Sequence, residues 1–473
     1  MGRHNISKDK VNHRCSLCFD KQQIIDELRE ENIRLKKLLK YQESSMQEGY
    51  FGSSTPSSKL PFKENTDEVK KGRRGAKKGH PGNGRKSHNS GEIDRYDEVS
   101  CEFTNCPDCG QKLEIKSYSN RSVLESPPKK AERRYYRVQK KHCSFCKKTF
   151  QCNIPGVMQK SLYGNQLITN MAEMHYLHGV PIGRISNITG VGDGAIVGIF
   201  NRLSKIFEKA PEYLVAEYRK AKVKHADEAS WRVDGKNGYT WLFATDKLRY
   251  FLFGENRSSA VPKKVFGNEQ LPGNEQLPGV LVVDRYAAYN KAPCKIQYCY
   301  AHLIRDIEDL QKRHPENKEV ERFVAVLPLM IEAIKLRMKP ISDDMFNELA
   351  AKTKKEIMSI MTQPAKHIGI KNIQQLFIKH EKRLYHWADN RNIHADNNLA
   401  ERDLRPTVVA RKVSFGSASQ AGAKTRGILT SIFHTLKKRV RDPSMKFKQT
   451  LDLVAANNNL SFEQIIDFLF CQD

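Results

Sequence analysis

The periodicity of the sequence changes between residues 222 and 300, and this change constrains the fold most. Five short β-rich runs separated by turn residues occur there: KVKHADEAS, YTWLFATD, RYFLFG, VLVVD and IQYCY. Short runs rich in Val, Ile, Tyr and Phe are typical of strands. On both sides the apolar spacing is helical, from Gly164 to about Arg219 and from Ala301 to about His394. The sequence therefore predicts a mixed sheet with helices around it, in an α+β or α/β fold.

At 473 residues the chain is too long for one ordinary core, so we expect several domains. Residues 1–50 predict an N-terminal helix in which Ile25, Leu28, Leu35 and Leu39 follow a heptad spacing around Asn32. A short coiled coil would use that seam for self-association. Fewer than three heptads are present, so a solvated amphipathic helix is the alternative.

The charge balance favours a polyanionic partner, above all nucleic acid. Lys and Arg number 81 against 54 acidic residues, a formal charge of +27. Residues 51–98 are rich in Ser, Pro and Gly, and Lys70 to Lys86 holds eight basic residues and no acid. We interpret this segment as a linker or DNA-binding arm in which Lys77 and Lys78 contact DNA. A merely solvated basic surface is the alternative.

Two CxxC pairs predict a zinc ribbon over residues 99–155. A structural Zn²⁺ would be held by four cysteines, since paired thiolates at this spacing suit a tetrahedral ion; they are Cys106, Cys109, Cys143 and Cys146. Four unrelated buried thiols are the alternative. The intervening sequence predicts a basic hairpin, and its DNA-contacting candidates are Arg133, Arg134 and Arg137. His13, Cys15 and Cys18 form a half-site for which unliganded thiols or a shared intermolecular site are both open.

Residues 160–220 predict a helical region. The stretch VPIGRISNITGVGDGAIVGIFNRL indicates a short helix, a Gly-containing turn and a second helix. That order suits a helix-turn-helix reaching into the major groove, although an ordinary helical hairpin has the same pattern.

Three acidic residues are candidates for a divalent metal site in residues 221–473. Asp227 lies in the first β-rich run, Asp284 ends VLVVD, and Glu401 lies in DNNLAERDLRP at the start of a basic helical tail. Mg²⁺ prefers oxygen ligands, and paired ions stabilise the attacking and leaving oxygens of phosphodiester transfer. Taken singly, each acid is more simply a turn, cap or salt-bridge residue. Local competitors are Glu228, Asp396 and Asp403.

The segment Arg402 to Arg441 carries ten basic residues and one acid, which is consistent with holding DNA near that site. Its candidate contacts are Arg402, Arg405, Arg411 and Lys412. A solvated helix face is the alternative. No apolar run reaches the ~18 residues of a membrane-spanning helix, so we expect a cytoplasmic, nucleoid-associated protein with no membrane partner.

Several motifs in order make the chain resemble transposases of the insertion sequence sixty-six family, the TnpC-type group of DDE transposases. They are SSTPSSK, KKGHPG, CPDCG with CSFC, DEASWRVDGKNGYTWLFAT, VVDRYAAYN, CYAHLIRD and NNLAERDLRPTVVARKVSFGS. The resemblance covers nearly the whole length.

The resemblance implies a ribonuclease-H-like core with Asp227, Asp284 and Glu401 as ligands of Mg²⁺ or Mn²⁺, and a helical insertion at about 303–394. It implies strand cleavage by a metal-activated water, followed by attack of the released 3′-hydroxyl on target DNA. The implied partners are double-stranded element ends and target, a second copy of the chain or more on DNA, and small accessory transposition proteins. Cys299 and His302 of CYAHLIRD are also candidate metal ligands, but the resemblance implies packing or phosphate positioning for them, with Arg305 nearby.

Two alternatives share these features. A DNA-binding regulator or decayed transposase would bind without cleaving, and a structure-specific nuclease would cleave without joining. One further feature is the tandem repeat GNEQLPGNEQLPG before the Asp284 strand, which predicts a surface-loop extension because Pro and Gly break regular structure.

Overall fold

The computed structural model describes residues 153–267, 276–457 and 459–470, with shorter pieces at 111–112, 131, 133–138, 140–142 and 149–151 and six positions between Ile25 and Leu35. The chain divides into two compact units, Met1–Leu60 with Arg133–Asp473, and Pro61–Glu132. Nearly all described residues belong to the first unit.

The N-terminal third is described only in part. The six described positions between Ile25 and Leu35 are helical, and the Ile25, Leu28 and Leu35 side chains are exposed. Strands β1 (Lys140–His142) and β2 (Thr149–Gln151) form an antiparallel hairpin. This hairpin brackets the second CxxC pair, but all four predicted zinc ligands, together with Lys77, Lys78, Cys15 and Cys18, lie outside the described residues.

Four helices follow: α1 (Asn165–Tyr176), α2 (Ile182–Thr189), α3 (Asp193–Ile206) and α4 (Ala210–Lys220). The order of short helix, glycine turn and second helix is the one that the sequence predicts for α2 and α3. Gly190 ends α2 in the left-handed region at φ 74°, which glycine adopts without a steric cost. Groove recognition by α3 stays a prediction.

All five β-rich runs form strands of one mixed sheet: β3 (Val223–Ser230), β4 (Tyr239–Ala244), β5 (Arg249–Glu255), β6 (Val280–Val283) and β7 (Lys295–Tyr298). The strand order is β5-β4-β3-β6-β7. Strands β3, β4 and β5 are antiparallel neighbours, whereas β6 runs parallel to β3 and β7 parallel to β6. The prediction of a mixed sheet is confirmed. Helix α5 (Ala260–Phe266) lies between β5 and β6.

A long helical segment, here called the helical excursion, follows β7 in the sequence and precedes the helix that contains Glu401. It comprises α6 (Tyr300–Arg313), α7 (Lys318–Phe323), α8 (Val326–Leu336), α9 (Asp343–Met361), α10 (Ile368–Lys379) and α11 (His386–Asp389). The two ends of this excursion meet, because the Tyr300 N–H donates to the Ala395 carbonyl at 2.8 Å.

Four helices complete the described chain: α12 (Asn398–Ser414), α13 (Gln420–Arg439), α14 (Pro443–Ala456) and α15 (Phe462–Phe470). One hydrophobic core contains side chains from the four helices α1, α2, α3 and α4, from one face of the sheet and from the helical excursion. A second cluster packs α12 and α13 against the opposite face. None of the helices in the described ranges has both the length and the hydropathy needed to cross a bilayer.

A buried histidine connects α1 to α13. His175 Nδ1 lies 2.7 Å from the Val180 carbonyl, and its Nε2 lies 2.6 Å from Nη2 of Arg426. A ring that donates from Nδ1 and accepts at Nε2 from a guanidinium is neutral. Burial, and then the Arg426 charge, lower the pKa of His175 to about 3.

We expect acid to weaken this connection. The pKa of His175 in the folded protein lies below its unfolded value of about 6.5. The contribution of His175 to the free energy of unfolding is therefore complete above about pH 6.5 and is lost as the pH falls toward 3. At pH 5 the loss is about 2 kcal/mol. Urea unfolding at pH 7.5 and pH 5 measures it, and His175→Gln should flatten the difference. His178→Gln, at an exposed position on the same segment, should leave it unchanged.

The second copy of the repeated hexapeptide is fixed to the sheet. Its Leu277 N–H donates to the Pro293 carbonyl at 2.7 Å, and its Pro278 carbonyl accepts from Lys224 Nζ. Gly279 has φ +83°, and a Cβ there would lie 2.1 Å from the Lys222 carbonyl oxygen. Residues 268–275 lie outside the described ranges.

Deleting one repeat unit, residues 268–273, should change the free energy of unfolding by less than about 1 kcal/mol, because loop length is thermodynamically cheap and the anchoring residues stay in place. Thermal unfolding of the deletion variant tests this. Gly279→Ala is the contrasting variant and should lower the melting temperature, since its Cβ collides with backbone. A deletion as damaging as Gly279→Ala would show that the first unit of the repeat has its own structural role.

Candidate active site

Two of the predicted acids meet at one edge of the sheet. In the parallel pairing of β3 with β6, His225 lies opposite Val282. Two residues further along each strand, the same register places Asp227 beside Asp284. Neighbouring strands lie about 4.8 Å apart, and both side chains are 3 % exposed.

Asp227 and Asp284 form a row across neighbouring strands, here called the acidic row. Cys299 lies at the next position of this row, after β7. Val283 pairs with Tyr298 across β6 and β7, and the Cys299 N–H donates to the Val283 carbonyl at 2.8 Å. The register therefore brings Cys299 beside Asp284. Residues aligned across parallel strands point to the same face, so Asp227, Asp284 and Cys299 share one side of the sheet.

The face of this row is the one that α12 covers. Ala229, two residues after Asp227, packs in the same cluster as Leu399, Ala400 and Leu404 of α12. Side chains alternate along a strand, so Asp227 is directed toward the helix that carries Glu401.

Glu228 lies on the opposite face. Its carboxylate accepts from Arg257 at 2.7 Å and from the Tyr289 hydroxyl at 2.7 Å. Burial raises the pKa of Glu228, against the opposing effects of Tyr289 and Arg257. Asp227, rather than this neighbour, therefore shares a face with Asp284 and α12.

Asn397 holds the start of α12 against the sheet. Its Nδ2 donates to the Ala226 carbonyl at 2.8 Å, and its Oδ1 lies 3.0 Å from His225 Nδ1. Its backbone N–H reaches Cys299 Sγ at 3.1 Å. This one side chain bonds to β3 next to Asp227 and is itself 1 % exposed. The position of α12 along the acidic row is therefore fixed by buried hydrogen bonds.

Glu401 follows Asn397 by one helical turn and faces α6. Its Oε2 lies 3.5 Å from Arg305 Nη2, and its Oε1 lies 3.9 Å from His302 Nδ1. Burial raises the pKa of Glu401, and Arg305 opposes that effect. Its carboxylate also lies within 4.8 Å of Cys299 Sγ. Because Cys299 lies beside Asp284 in the strand register, this contact places Glu401 at the Cys299 end of the row that contains Asp227 and Asp284.

The other two acidic competitors have different surroundings. Asp403 pairs with Arg249 of β5 and Lys438 of α13. Asp396 accepts from the backbone and side chain of Asn398, at 3.3 and 2.7 Å, as in a local turn.

The electrostatics of the row favour a cation. Burial, and next the charge of Glu228, raise the pKa of Asp284 well above its ordinary value, although the Tyr286 N–H, Arg257 and Arg285 act in the other direction. Among the described residues, Glu401 Oε1 has no hydrogen-bond partner. Carboxylate oxygens are the donors that Mg²⁺ and Mn²⁺ prefer. In the part of the chain that the structure describes, however, the group of potential ligand atoms that all lie within 4.8 Å of one another comes from Cys299, His302 and Glu401, and it does not include Asp227 or Asp284.

The predicted DNA contacts on α12 differ in accessibility. Arg402, Arg405 and Lys412 are exposed. Arg411 is half-buried, donates to the Ser230 carbonyl at 2.7 Å and borders a cavity of about 450 Å³ at the end of β3. Arg133, Arg134 and Arg137 are exposed, in a segment described only in part.

Sequence reasoning missed two features of this site. Asn397 is the first, although its place immediately before the Glu401 helix is a usable signal. Arg285 is the second: it directly follows Asp284, and its side chain pairs with Asp306. Arg285 Nε and Arg305 Nη1 are buried donors for which the described residues supply no hydrogen-bond acceptor.

Comparison with known proteins agrees with the motifs. A family model described as "Transposase IS66 family" matches residues 160–425, more than half of the chain. Two curated proteins of Sinorhizobium fredii (strain NBRC 101917 / NGR234) are similar and are named only as uncharacterized proteins. "Uncharacterized protein y4jD" is 22 % identical over 226 residues, which cover 44 % of this chain and 42 % of that protein. "Uncharacterized protein y4qI" is 21 % identical over 337 residues, or 63 % and 61 %. This chain thus spans less than two thirds of either relative.

Proposed function

This chain belongs to the IS66 family of transposases, and on that premise we propose that it cuts and joins DNA strands at the ends of an insertion sequence. The observation that supports the proposal most is the row of Asp227 and Asp284 on the face of the sheet covered by the Glu401 helix. The five-stranded mixed sheet is compatible with the ribonuclease-H-like core that the motifs imply.

In this proposal, Asp227, Asp284 and Glu401 hold Mg²⁺ or Mn²⁺. When bound, such ions stabilise the charge that develops on the attacking and leaving oxygens of the phosphodiester. The protein contributes the fixed positions of the three carboxylates, which β3, the end of β6 and α12 provide. Burial keeps bulk water away from the two aspartates. A bound cation would favour the charged form of Asp284, whose pKa burial raises.

The basic side chains around the acids would bind the DNA backbone. Arg305 and Arg285 have buried donors without acceptors in the described part of the chain, and a phosphate oxygen would supply one. Arg402 and Arg405 follow Glu401 by one and four residues on α12, and both are exposed. They can contact phosphates on either side of the reacting one.

The remaining parts have supporting roles in the proposal. Zn²⁺ at Cys106, Cys109, Cys143 and Cys146 folds a ribbon that binds DNA together with the basic arm and the arginines after it. The helical hairpin α2–α3 contacts the terminal inverted repeats. Two copies of the chain act on a pair of element ends in the cytoplasm, with small accessory proteins as further partners.

The test is an in vitro reaction with the purified full chain, duplex DNA carrying the element ends, a target plasmid and Mg²⁺. Joined products that appear with Mg²⁺ and disappear with chelator support a transposase. Nicks without joined strands would instead indicate a nuclease. DNA binding without cleavage under Mg²⁺ or Mn²⁺ would indicate a binding protein or a decayed copy, and would contradict the proposal.

A further inference from the structure

Three potential metal ligands of different chemistry meet beside the acidic row. Cys299 Sγ, an imidazole nitrogen of His302 and a Glu401 carboxylate oxygen all lie within 4.8 Å of one another. Cys299 precedes the first residue of α6 and His302 lies in its first turn, so C-x-x-H spacing places both side chains on one side of the helix start. Glu401 reaches them from α12.

Two of these ligand atoms are buried without a hydrogen bond. His302 Nδ1 and Glu401 Oε1 are both inaccessible and have no hydrogen-bond partner in the described part of the chain, although they lie 3.9 Å apart. His302 is 5 % exposed. A buried polar atom without a partner costs about 1–3 kcal/mol. Two such atoms 3.9 Å apart, in residues grouped with a thiol within 4.8 Å, indicate a missing ligand common to all three.

The distances fit a small divalent cation. Zinc binds sulfur at about 2.3 Å and nitrogen or carboxylate oxygen at about 2.0–2.2 Å. Tetrahedral coordination then separates the ligand atoms by roughly 3.3–3.7 Å. His302 Nδ1 and Glu401 Oε1, at 3.9 Å, are close to this separation, and all three ligand atoms lie within 4.8 Å of one another, so small side-chain rotations would bring them onto one ion. The backbone N–H of Asn397 already donates to Cys299 Sγ at 3.1 Å, the kind of contact that orients a thiolate ligand.

We propose that Cys299, His302 and Glu401 form a binding site for a thiophilic divalent cation of the Zn²⁺ class, with water in the fourth position. The mixed sulfur, nitrogen and oxygen donors favour Zn²⁺ over Mg²⁺, which takes oxygen ligands. This site stands on these contacts alone and does not rest on the proposed strand-transfer activity. Its connection with that activity is Glu401, whose carboxylate would be shared between the two sites.

The experiment counts zinc. Full-length protein is saturated with Zn²⁺, dialysed without chelator, and analysed for zinc per chain by mass spectrometry. Cys299→Ser should hold about one zinc ion fewer than wild type, because a hydroxyl replaces the thiolate. Cys294→Ser is the matched control, since Cys294 is also a buried free cysteine but lies outside the cluster; it should lose none. Zinc bound elsewhere in the chain cancels in these differences.

Glu401→Gln guards against misfolding of the cysteine variant, because glutamine keeps the size of the side chain and removes its charge. It should also lose about one zinc ion per chain while retaining the wild-type circular dichroism spectrum. Equal zinc content in wild type and in folded Glu401→Gln would overturn the proposal, as would an equal loss in Cys294→Ser. No DNA is present, so a chain that fails to join strands still gives a clear result.

Discussion

Asp227→Asn should reduce strand transfer by about a thousandfold or more, because it removes a charged ligand from the proposed Mg²⁺ site and such ions contribute several kcal/mol to transition-state stabilisation. Asparagine keeps the shape of the side chain, so the sheet should fold as before. Joined product per unit time, with DNA binding measured in parallel by mobility shift, gives the result.

Asp246→Asn is the matched control, because Asp246 is an exposed aspartate in the turn between β4 and β5. It should retain the wild-type rate. Full activity in Asp227→Asn would remove Asp227 from the site. Reduced binding in that variant would require the rate to be compared at saturating DNA.

Asn397→Leu should lower the free energy of unfolding by about 2–4 kcal/mol, because it leaves the Ala226 carbonyl and the His225 ring without their buried partner. It should also lower strand transfer, since the same hydrogen bonds fix the helix that carries Glu401. Urea unfolding and the strand-transfer rate of the folded protein measure the two effects.

Asn398→Ala provides the comparison at the adjacent position. Asn398 is exposed and bonds to Asp396 rather than to the sheet, so we expect a change below about 0.5 kcal/mol. If Asn397→Leu loses stability but its folded fraction joins strands at the wild-type rate, Asn397 does not position Glu401.

The strands were predictable because their residues carry the signal locally. Runs such as VLVVD and YTWLFATD are rich in β-branched and aromatic side chains, and each became a strand. The position of Asp284 at a strand end followed from the same run. Family motifs supplied the third acid, Glu401, which strand propensity alone could not connect with the other two.

The family motif named Asp227 rather than Glu228, but the strand pattern alone could not separate the two. Strand β3 is buried on both faces over Lys224–Ala229, so it lacks the polar and apolar alternation that reveals which side chains face solvent. Only the packing of α12 on one face and of Arg257 and Tyr289 on the other separates these neighbours.

Asn397 was hidden for a different reason. An asparagine before a helix normally predicts a cap, yet Asn397 makes no side-chain cap hydrogen bond and instead reaches across to β3. Its partners His225 and Ala226 are more than 170 positions earlier. Local sequence rules do not contain a contact of that range.

The hydrogen bond between Tyr300 and Ala395 has a consequence for how members of this family can diverge. Because residues at the two ends of the helical excursion are hydrogen-bonded to each other, its outer helices can be lengthened, shortened or exchanged without moving the sheet or α12. We expect the distal portion beyond α6 to accept a grafted domain while the sheet and the Glu401 helix keep their arrangement.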